Sequence, residues 1–180
     1  VCAVQETRWK GEGGRFVGVK GRRYKLWWKG DDGTGGVGLM VKEELTDKIL
    51  EVRRKSDRVM VVVMLIEKLM VRVISGYAPQ QGRTEEEKDQ FYDEVFEEIG
   101  QAGPDEFVML LGDLNGHVGA KAEGYEGVHG GFGYGQRNEE GCRVLELGDI
   151  YGMVVGNTLF KRAPTRLITY RSGESMSMID

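Results

Sequence analysis

Asp113 and Asn115 lie two residues apart, directly after the apolar run at residues 107–111. A Pro-Asp pair precedes this run, and Gly and Asn follow it, which is typical of a buried strand. Because side chains alternate along a strand, we expect both polar groups on the same side of the chain. A carboxylate and an amide aimed at one point could accept a hydrogen bond from a reacting group and donate one to it. The alternative is an Asx-rich turn, in which the two side chains bond their own backbone.

Two further apolar runs also end in polar side chains. Glu6 follows the run at residues 1–5, and Tyr77 follows the run at residues 69–75. Glu6 could be a surface residue at a strand end, and Tyr77 could be a core aromatic residue before a turn fixed by Pro79. A fourth segment, residues 165–173, leads to a C-terminal Ser-Met-Ile-Asp. Three strand ends therefore present a glutamate, a tyrosine and an Asp/Asn pair.

In this order and spacing, the four segments resemble the endonuclease/exonuclease/phosphatase superfamily. They are especially similar to the apurinic-type endonuclease domain of non-LTR retrotransposons of the RTE clade, over essentially the whole chain. The resemblance implies an α+β fold, a four-layer α/β sandwich in which two packed mixed β-sheets are flanked by helices. It implies one such domain over residues 1–180. It also implies a Mg²⁺-dependent phosphodiesterase that nicks DNA in association with a reverse transcriptase, with Mn²⁺ as an alternative cation.

The resemblance assigns a role to each residue at the strand ends. Glu6 would bind Mg²⁺, a cation that keeps several water ligands and needs only one or two protein carboxylates. Asp113 would orient and deprotonate the attacking water, and Asn115 would hydrogen-bond the phosphate or that water. Tyr77 would contact a phosphate oxygen. The cation could supply both an activated water and stabilisation of the charge that develops on the phosphate.

Near the C terminus, the resemblance points to Thr169 and Asp180. Thr169 matches a family position whose hydroxyl contacts the DNA backbone, although Thr165 is close enough to be the match instead. Asp180 matches the family's Ile-Asp pair, which would orient a catalytic histidine or contribute to the metal environment.

The sequence departs from the family pattern in two places. Family members carry a first strand that ends in Asn and a C-terminal Ser-Asp-His segment, and this chain shows neither. His117 and His129 are its two histidines, and neither matches the family position. We expect His117 to pack within its turn and His129 to be exposed. We therefore expect a fold that is incomplete at both ends. Because the histidine is missing, we expect DNA nicking to be about 10²–10⁴-fold slower than in a chain that carries it.

Basic and acidic residues are separated along the chain, although the net charge is only −4. Residues 8–29 hold eight basic and five aromatic residues with one acid, residues 161–171 add a second basic block, and residues 84–106 hold ten acids. Either basic block could be a solvated face. Their position beside the strand-end motifs favours contacts with the phosphate backbone of DNA. The basic residues that we expect to bind DNA, together with Thr169, are Arg8, Arg22, Arg23, Lys25 and Arg171.

Composition excludes several other classes of protein. Hydrophobic residues make up 40% and charged residues 30%, as in globular proteins, and no apolar run approaches the 18 residues of a membrane span. No secretory signal is visible, and two cysteines indicate reduced thiols in an intracellular compartment, with Cys2 expected in the core. The His and Cys residues lack zinc-ligand spacing, and no Gly-x-Ser-x-Gly elbow is present. We expect a nuclear monomer that binds DNA and no membrane.

The periodicity predicts many strands and two long helices. One helix spans residues 84–101 with Thr84 and Glu87 as a capping box, and another spans 139–151 after the N-cap Asn138. Residues 24–42 are predicted to form a hairpin, and the glycine-rich residues 116–136 are predicted to form a long, flexible loop. The predicted strands are 1–5, 15–19, 24–29, 36–42, 49–54, 58–66, 69–76, 106–112, 153–158, 166–171 and 177–180.

Three functions remain open at this point. The retained Glu6, Tyr77, Asp113 and Asn115 favour an endonuclease. The missing histidine favours a nuclease-like module that has lost catalysis and serves as a DNA- or protein-interaction domain. A hydrolase of small phosphates or lipids is the third reading, and the basic, aromatic-rich residues 8–29 favour DNA over it.

Overall fold

The computed structural model describes residues 1–168, 170–172 and 175–177, and contacts within the chain divide it into two units. The first unit contains residues 1–79 and 83–113. The second contains residues 80–82 and the chain from residue 114 onward. The expectation of a single domain over residues 1–180 stays a prediction.

The described strands of the first unit form two four-stranded sheets. The order in the first sheet is β1-β4-β3-β2, with antiparallel pairing throughout. The order in the second is β5-β6-β7-β8, in which β7 and β8 run parallel and the other pairs are antiparallel. The bounds are β1 Cys2–Gln5, β2 Gly11–Val19, β3 Arg22–Gly30, β4 Val37–Lys42, β5 Ile49–Arg54, β6 Val59–Ile66, β7 Leu69–Tyr77 and β8 Glu106–Asp113.

Alternating apolar side chains pack the two sheets face to face. The inner positions of β4 and the facing positions of β6 and β7 form one buried cluster, to which β1, β3 and β8 add partly buried side chains. Each fully buried Val, Leu or Met side chain contributes about 1.5–3 kcal/mol from its removal from water. The α+β sandwich expected from the sequence is confirmed. The buried members of this cluster are Val37, Leu39, Val41, Met60, Val62, Met64, Val71 and Val73.

The helix predicted at residues 84–101 is confirmed as α1 (Glu85–Gly100), which contacts β6 and β7. The Thr84 hydroxyl accepts from the Glu87 backbone N–H at 3.3 Å, and the Glu87 carboxylate accepts from the Thr84 N–H at 3.2 Å. This capping box fixes where the helix begins. The apolar stripe of α1 is buried, and most of its acids are exposed or partly exposed, whereas Glu98 is fully buried and pairs with Arg53 at 2.7 Å.

The second predicted helix is also confirmed, as α2 (Glu139–Tyr151) of the second unit. The Asn138 side-chain oxygen accepts from the backbone N–H groups of Gly141 and His117, each at 2.8 Å, so one amide caps the helix and secures the preceding turn. The helix ends at Gly152, which has the left-handed conformation that favours glycine.

The glycine-rich loop expected to be flexible is anchored by one arginine. The Arg137 guanidinium donates to the backbone carbonyls of residues 118, 121, 122 and 123 at distances of 2.8–3.2 Å. It also stacks on the Tyr125 ring, 4.9 Å from the ring centroid. Arginine suits this role because its planar fork presents five donors in fixed directions. The loop is therefore organised by side-chain contacts that its glycine content did not reveal.

Two of the predicted strands are wrong in whole or in part. Residues 153–158 form only an isolated bridge between Val155 and His129, followed by the 3-10 turn Gly156–Thr158. Residues 166–171 divide between a short helix, α3 (Pro164–Leu167), and the strand β9 (Tyr170–Ser172). Proline is favourable in the first turn of a helix, which explains the start of α3. The strand predicted at 177–180 begins earlier, as β10 (Ser175–Ser177) paired with β9, and residues 178–180 lie outside the described residues.

Cys2 was expected in the core, but it is exposed. It lies on β1, at the edge of the first sheet, and the alternation of side chains directs its neighbour Ala3 toward the core instead. In the part of the chain that the structure describes, no helix has the length and apolar character needed to cross a membrane.

The expectation that His129 is exposed is wrong, because the side chain is only 2% exposed. Its Nδ1 accepts from the Gly131 backbone N–H at 3.0 Å, and its Nε2 lies 3.1 Å from the Gly119 carbonyl oxygen. These partners require the neutral tautomer that carries its proton on Nε2. Burial lowers the pKa of His129 below its ordinary value.

We predict that the second unit loses stability in mild acid because of His129. The unfolded chain binds a proton near pH 6.5, whereas the folded chain resists protonation of His129 until a lower pH. The stabilisation is therefore complete above about pH 6.5 and declines as the pH falls toward the folded-state pKa. The free energy of unfolding, measured with urea at about pH 7.5 and about pH 5.5, should be lower at the lower pH. His129→Gln should reduce the pH dependence, whereas His117→Gln, at an exposed position, should retain it. Equal pH dependence in wild type and His129→Gln would contradict the assignment.

Candidate active site at the strand ends

Tyr77 and Asp113 end two neighbouring parallel strands and lie opposite each other in the register. The Ala78 backbone N–H donates to the Asp113 carbonyl oxygen at 2.9 Å, which extends this pairing beyond the strand ends. Gly112 allows the close approach, since its φ is +140° and a Cβ there would overlap the Gly76 backbone. Because the carboxyl ends of parallel strands meet at one edge of a sheet, β7 and β8 present both side chains at the same edge.

Glu6 reaches Tyr77 from the other sheet. It directly follows β1, and its Oε1 accepts a hydrogen bond from the Tyr77 hydroxyl at 2.9 Å. One residue before Glu6 and two residues before Tyr77, the Gln5 side-chain amide donates to the Ser75 hydroxyl at 3.4 Å. The structure thus brings together Glu6, Tyr77 and Asp113, three residues that are far apart in the sequence.

The backbone around Glu6 is held in an uncommon conformation. Glu6 and Arg8 have φ values of +51° and +54°, in the left-handed region that residues other than glycine rarely adopt. Two backbone hydrogen bonds hold the segment, from Thr7 to the Gly36 carbonyl at 3.3 Å and from Arg8 to the Gly35 carbonyl at 2.8 Å. Such conformations cost about 1–3 kcal/mol each and cluster at functional sites. The observed strain therefore supports a functional role for this strand end.

Arg8 forms an ion pair with Glu6. Its Nη2 lies 2.8 Å from Glu6 Oε2, and the Arg8 and Glu6 side chains are 69% and 42% exposed. The hydrogen bond from Arg8, followed by the one from Tyr77, holds the pKa of Glu6 below its usual value. Glu6 is therefore a charged carboxylate at neutral pH, with one oxygen facing each donor.

Tyr77 remains a neutral hydrogen-bond donor at neutral pH. Burial raises its pKa above the ordinary tyrosine value, and the hydrogen bond to Glu6 and the charges of Glu6 and Asp113 act in the same direction. Asp113 is the register partner of Tyr77 on β8, and its negative charge favours the neutral form of the tyrosine hydroxyl. The hydroxyl can therefore donate to an anion at this strand end.

Arg58 braces Tyr77, an interaction that the sequence interpretation missed. Its Nη1 donates to the Tyr77 carbonyl oxygen at 3.2 Å, its own carbonyl accepts from the Tyr77 N–H at 2.9 Å, and its guanidinium lies 5.5 Å from the ring centroid. The sequence did contain one indication of this interaction. Arg58 directly precedes the buried strand β6, and a charged side chain at such a position needs polar partners. The neighbouring Asp57 is half-buried, and burial raises the pKa of its carboxyl.

Mg²⁺, which the resemblance implies, fits the donor groups of this site. Glu6 offers a charged carboxylate that solvent can reach, and Asp113 supplies a second carboxylate beside Tyr77. Within the described residues, no three or more Asp, Glu, His or Cys side chains form a cluster that could hold a metal ion. A pair of carboxylates is the donor set expected for a cation that binds through one or two protein carboxylates and keeps its water ligands.

Arg22, Arg23 and Lys25, three of the basic residues predicted to bind DNA, do not share one face of the β2–β3 hairpin. Because side chains alternate along β3, Arg23 and Lys25 share one face of the β2–β3 hairpin and Arg22 lies on the other. Arg23 and Lys25 lie 4.5 and 4.7 Å from the centroid of Phe16 on β2, which is 43% exposed. Arg23 also lies 3.4 Å from a Glu43 carboxylate oxygen.

The remaining predicted site residues follow β8 in the chain. Asn115 belongs to the second unit and has a left-handed backbone with φ of +49°. Thr169 and Asp180 lie outside the described residues. Arg171 lies on β9, and its side chain is not described.

We predict that removal of either donor raises the pKa of Glu6, and that Arg8 has the larger effect because its hydrogen bond lowers this pKa most. Carbon-13 NMR titration measures the pKa of the Glu6 carboxyl in wild type, Arg8→Gly and Tyr77→Phe. The rise should be larger in Arg8→Gly than in Tyr77→Phe. Glycine fits the left-handed backbone at residue 8, so the first variant adds no strain. Tyr24→Phe, on an exposed tyrosine, is the matched control. A Glu6 pKa that is the same in all four proteins would contradict the observed hydrogen bonds.

Comparison with known proteins finds no family model that matches the chain. The chain is 27% identical over 174 residues to Craniofacial development protein 2 of Bos taurus, which covers 96% of this chain and 28% of that protein. It is 25% identical over 174 residues to Craniofacial development protein 2 of Tragulus javanicus, with 96% and 29% covered. The chain therefore spans less than a third of the length of these curated relatives, and it is similar to them along nearly all of its own length.

Proposed function

We propose that this chain is a Mg²⁺-dependent phosphodiesterase that acts on DNA, similar to the nicking endonuclease of a non-LTR retrotransposon. The observation that carries the proposal is the hydrogen bond from Tyr77 to Glu6 between the two sheets, with Asp113 adjacent to Tyr77 in the register. The similarity to Craniofacial development protein 2 over 96% of the chain supports common ancestry with that protein. The retrotransposon relationship and a nuclear location are parts of the proposal.

Glu6 would hold the cation, with Asp113 as the second carboxylate of the site. The low pKa of Glu6 means that the carboxylate needs no proton loss before it binds a cation. Mg²⁺ or Mn²⁺ bound there would supply Lewis-acid stabilisation of charge on a phosphate oxygen.

The remaining groups would position the phosphodiester and move a proton. Asp113 would accept a proton from the attacking water, as a general base held at the end of β8. Tyr77 would donate its hydroxyl hydrogen to a phosphate oxygen, since its raised pKa keeps that hydrogen in place at neutral pH. The resemblance assigns Asn115 the role of donating its amide to the phosphate or to the water.

Basic residues would hold the DNA backbone. Arg23 and Lys25, stacked on Phe16, form an ordered cationic face, and Arg22 would contact phosphate from the opposite face of the hairpin. Arg8, Thr169 and Arg171 complete the proposed set on the basis of the resemblance.

A nuclease-like interaction module that has lost catalysis is the second candidate. One observation favours it, because His129 is buried and hydrogen-bonded within the second unit, so its imidazole is not exposed to a phosphodiester. A module of this kind would retain DNA affinity and lack nicking activity, which distinguishes it from the enzyme.

Plasmid nicking in Mg²⁺ tests the proposed activity, and titration calorimetry with Mn²⁺ tests the proposed metal site. We expect Glu6→Gln to abolish cation binding and nicking together. We expect Asp113→Asn to spare binding more than nicking, which should fall by about 10²–10⁴-fold with loss of the general base. Asp105→Asn removes an exposed carboxylate at the other end of β8 and should change neither. Cation binding that survives Glu6→Gln would contradict the site, and DNA binding without nicking in every protein would favour the module.

A second prediction concerns the cationic face of the hairpin. Replacement of Arg23 and Lys25 with Gln should flatten the dependence of log affinity on log salt by about 0.9 for each phosphate that is no longer neutralised. The control is the double replacement of Lys42 and Lys48 with Gln, which removes the same charge from exposed lysines that already pair with acids. Fluorescence anisotropy with duplex DNA at several salt concentrations measures the slope. Equal slopes for both double variants would show a general effect of net charge and contradict the assignment.

A further inference from the structure

Both oxygens of the Glu6 carboxylate are occupied by donors of the chain itself. Tyr77 donates to Oε1 at 2.9 Å, and Arg8 donates to Oε2 at 2.8 Å. A cation that binds Glu6 must share these oxygens with the two donors or displace one of them. The two donors differ in how easily they can leave, which decides which one is displaced.

Tyr77 is enclosed by its neighbours, whereas the Arg8 side chain is exposed. Tyr77 is buried, and its ring and backbone both contact Arg58. The Arg8 side chain is 69% exposed, and its ion pair with Glu6 is of the exposed kind that contributes little to stability. The Arg8 backbone, in contrast, is pinned to Gly35 by a hydrogen bond at 2.8 Å. Displacement would therefore release the guanidinium and leave its attachment point beside Glu6.

We propose that Arg8 competes with the divalent cation for Glu6 and is released to bind a substrate phosphate when the cation binds. This inference rests on the metal site of the proposed function and adds a coupling between cation and phosphate binding. Without a cation, Arg8 neutralises Glu6 and reduces its repulsion of DNA. With a cation bound, the guanidinium gains a phosphate partner for its planar fork, which matches phosphate oxygens.

The competition predicts that loss of Arg8 tightens cation binding. An exposed ion pair is worth about 0.2–1 kcal/mol, so the dissociation constant for Mn²⁺ should fall by about 1.4- to 5-fold in Arg8→Gly. Arg8→Lys keeps the charge and should give a value between those of wild type and Arg8→Gly. Lys20→Ala removes a positive charge from the exposed turn between β2 and β3 and controls for net charge.

Titration calorimetry with Mn²⁺ tests this prediction, and circular dichroism confirms that each protein is folded. The proteins are wild type, Arg8→Gly, Arg8→Lys, Lys20→Ala and Glu6→Gln. Tighter binding in Arg8→Gly and little change in Lys20→Ala is the expected result. Unchanged or weaker binding in Arg8→Gly overturns the inference, as does equal tightening in Arg8→Gly and Lys20→Ala. Wild-type binding that persists in Glu6→Gln overturns the metal site of the proposed function itself, so the two failures are distinguishable.

A second measurement tests the release of Arg8 without relying on catalysis. We expect Ca²⁺ to strengthen binding of a duplex oligonucleotide more in wild type than in Arg8→Gly, because only wild type gains a freed guanidinium. Coupling is reciprocal, so DNA should tighten Ca²⁺ binding by the same factor in each protein. The same gain in both proteins would overturn the proposed release.

Discussion

Face-to-face packing of two sheets is the constraint on which the candidate site depends. Glu6 follows a strand of the first sheet, and Tyr77 and Asp113 end strands of the second, so no single sheet could bring them together. The apolar cluster between the sheets holds them in one alignment. A one-residue slip of β7 would move Tyr77 to the opposite face and would expose Val71 and Val73 at the same time. The hydrophobic core therefore fixes the site as well as the fold.

The site combines this rigid frame with local backbone strain. The left-handed conformations of Glu6 and Arg8 turn the chain sharply at the end of β1, and the Gly35–Gly36 backbone accepts hydrogen bonds from the N–H groups of Thr7 and Arg8. Gly36 has a φ of +100°, and a side chain there would collide with the Thr7 hydroxyl. The strained residues and the position that requires glycine both lie beside the proposed catalytic groups. The stability of the packed sheets offsets the free-energy cost of this strain.

Much of the frame could be predicted from the sequence because it follows from local rules. Alternating apolar residues predicted the core strands, and the Thr84–Glu87 box and Asn138 predicted where both long helices begin. The juxtaposition of Glu6, Tyr77 and Asp113 came from the resemblance, because spacing alone does not reveal which strand ends meet. Residues 153–158, which begin with three apolar residues, were predicted to form a strand, but the stretch forms a 3-10 turn and a single bridge to residue 129.

Long-range interactions of polar side chains were the part that could not be predicted. The sequence interpretation placed Arg58 only as the first residue of the predicted strand 58–66. Its importance lies in the hydrogen bonds and the ring stacking with Tyr77, which exist only after folding. His129 was predicted to be exposed because it lies in a glycine-rich loop. The side chain is buried, with the Gly131 N–H as its donor partner and the Gly119 carbonyl oxygen as its acceptor partner. The basic residues near the N terminus looked like one block, although strand alternation places Arg22 and Arg23 on opposite faces. In each case the burial or the direction of one polar group depends on the fold around it.

Paramagnetic broadening by Mn²⁺ in backbone NMR spectra tests most directly whether Glu6, Tyr77 and Asp113 form one cation site. Strand β7 runs for nine residues, so its ends are about 25 Å apart at roughly 3.3 Å per residue. We expect early loss of the amide signals of Thr7, Ala78 and Asp113. We expect the signals of Glu67 and Lys68, in the turn at the far end of β7, to stay sharp. Broadening centred on the acidic helix α1, or uniform broadening along β7, would contradict the site.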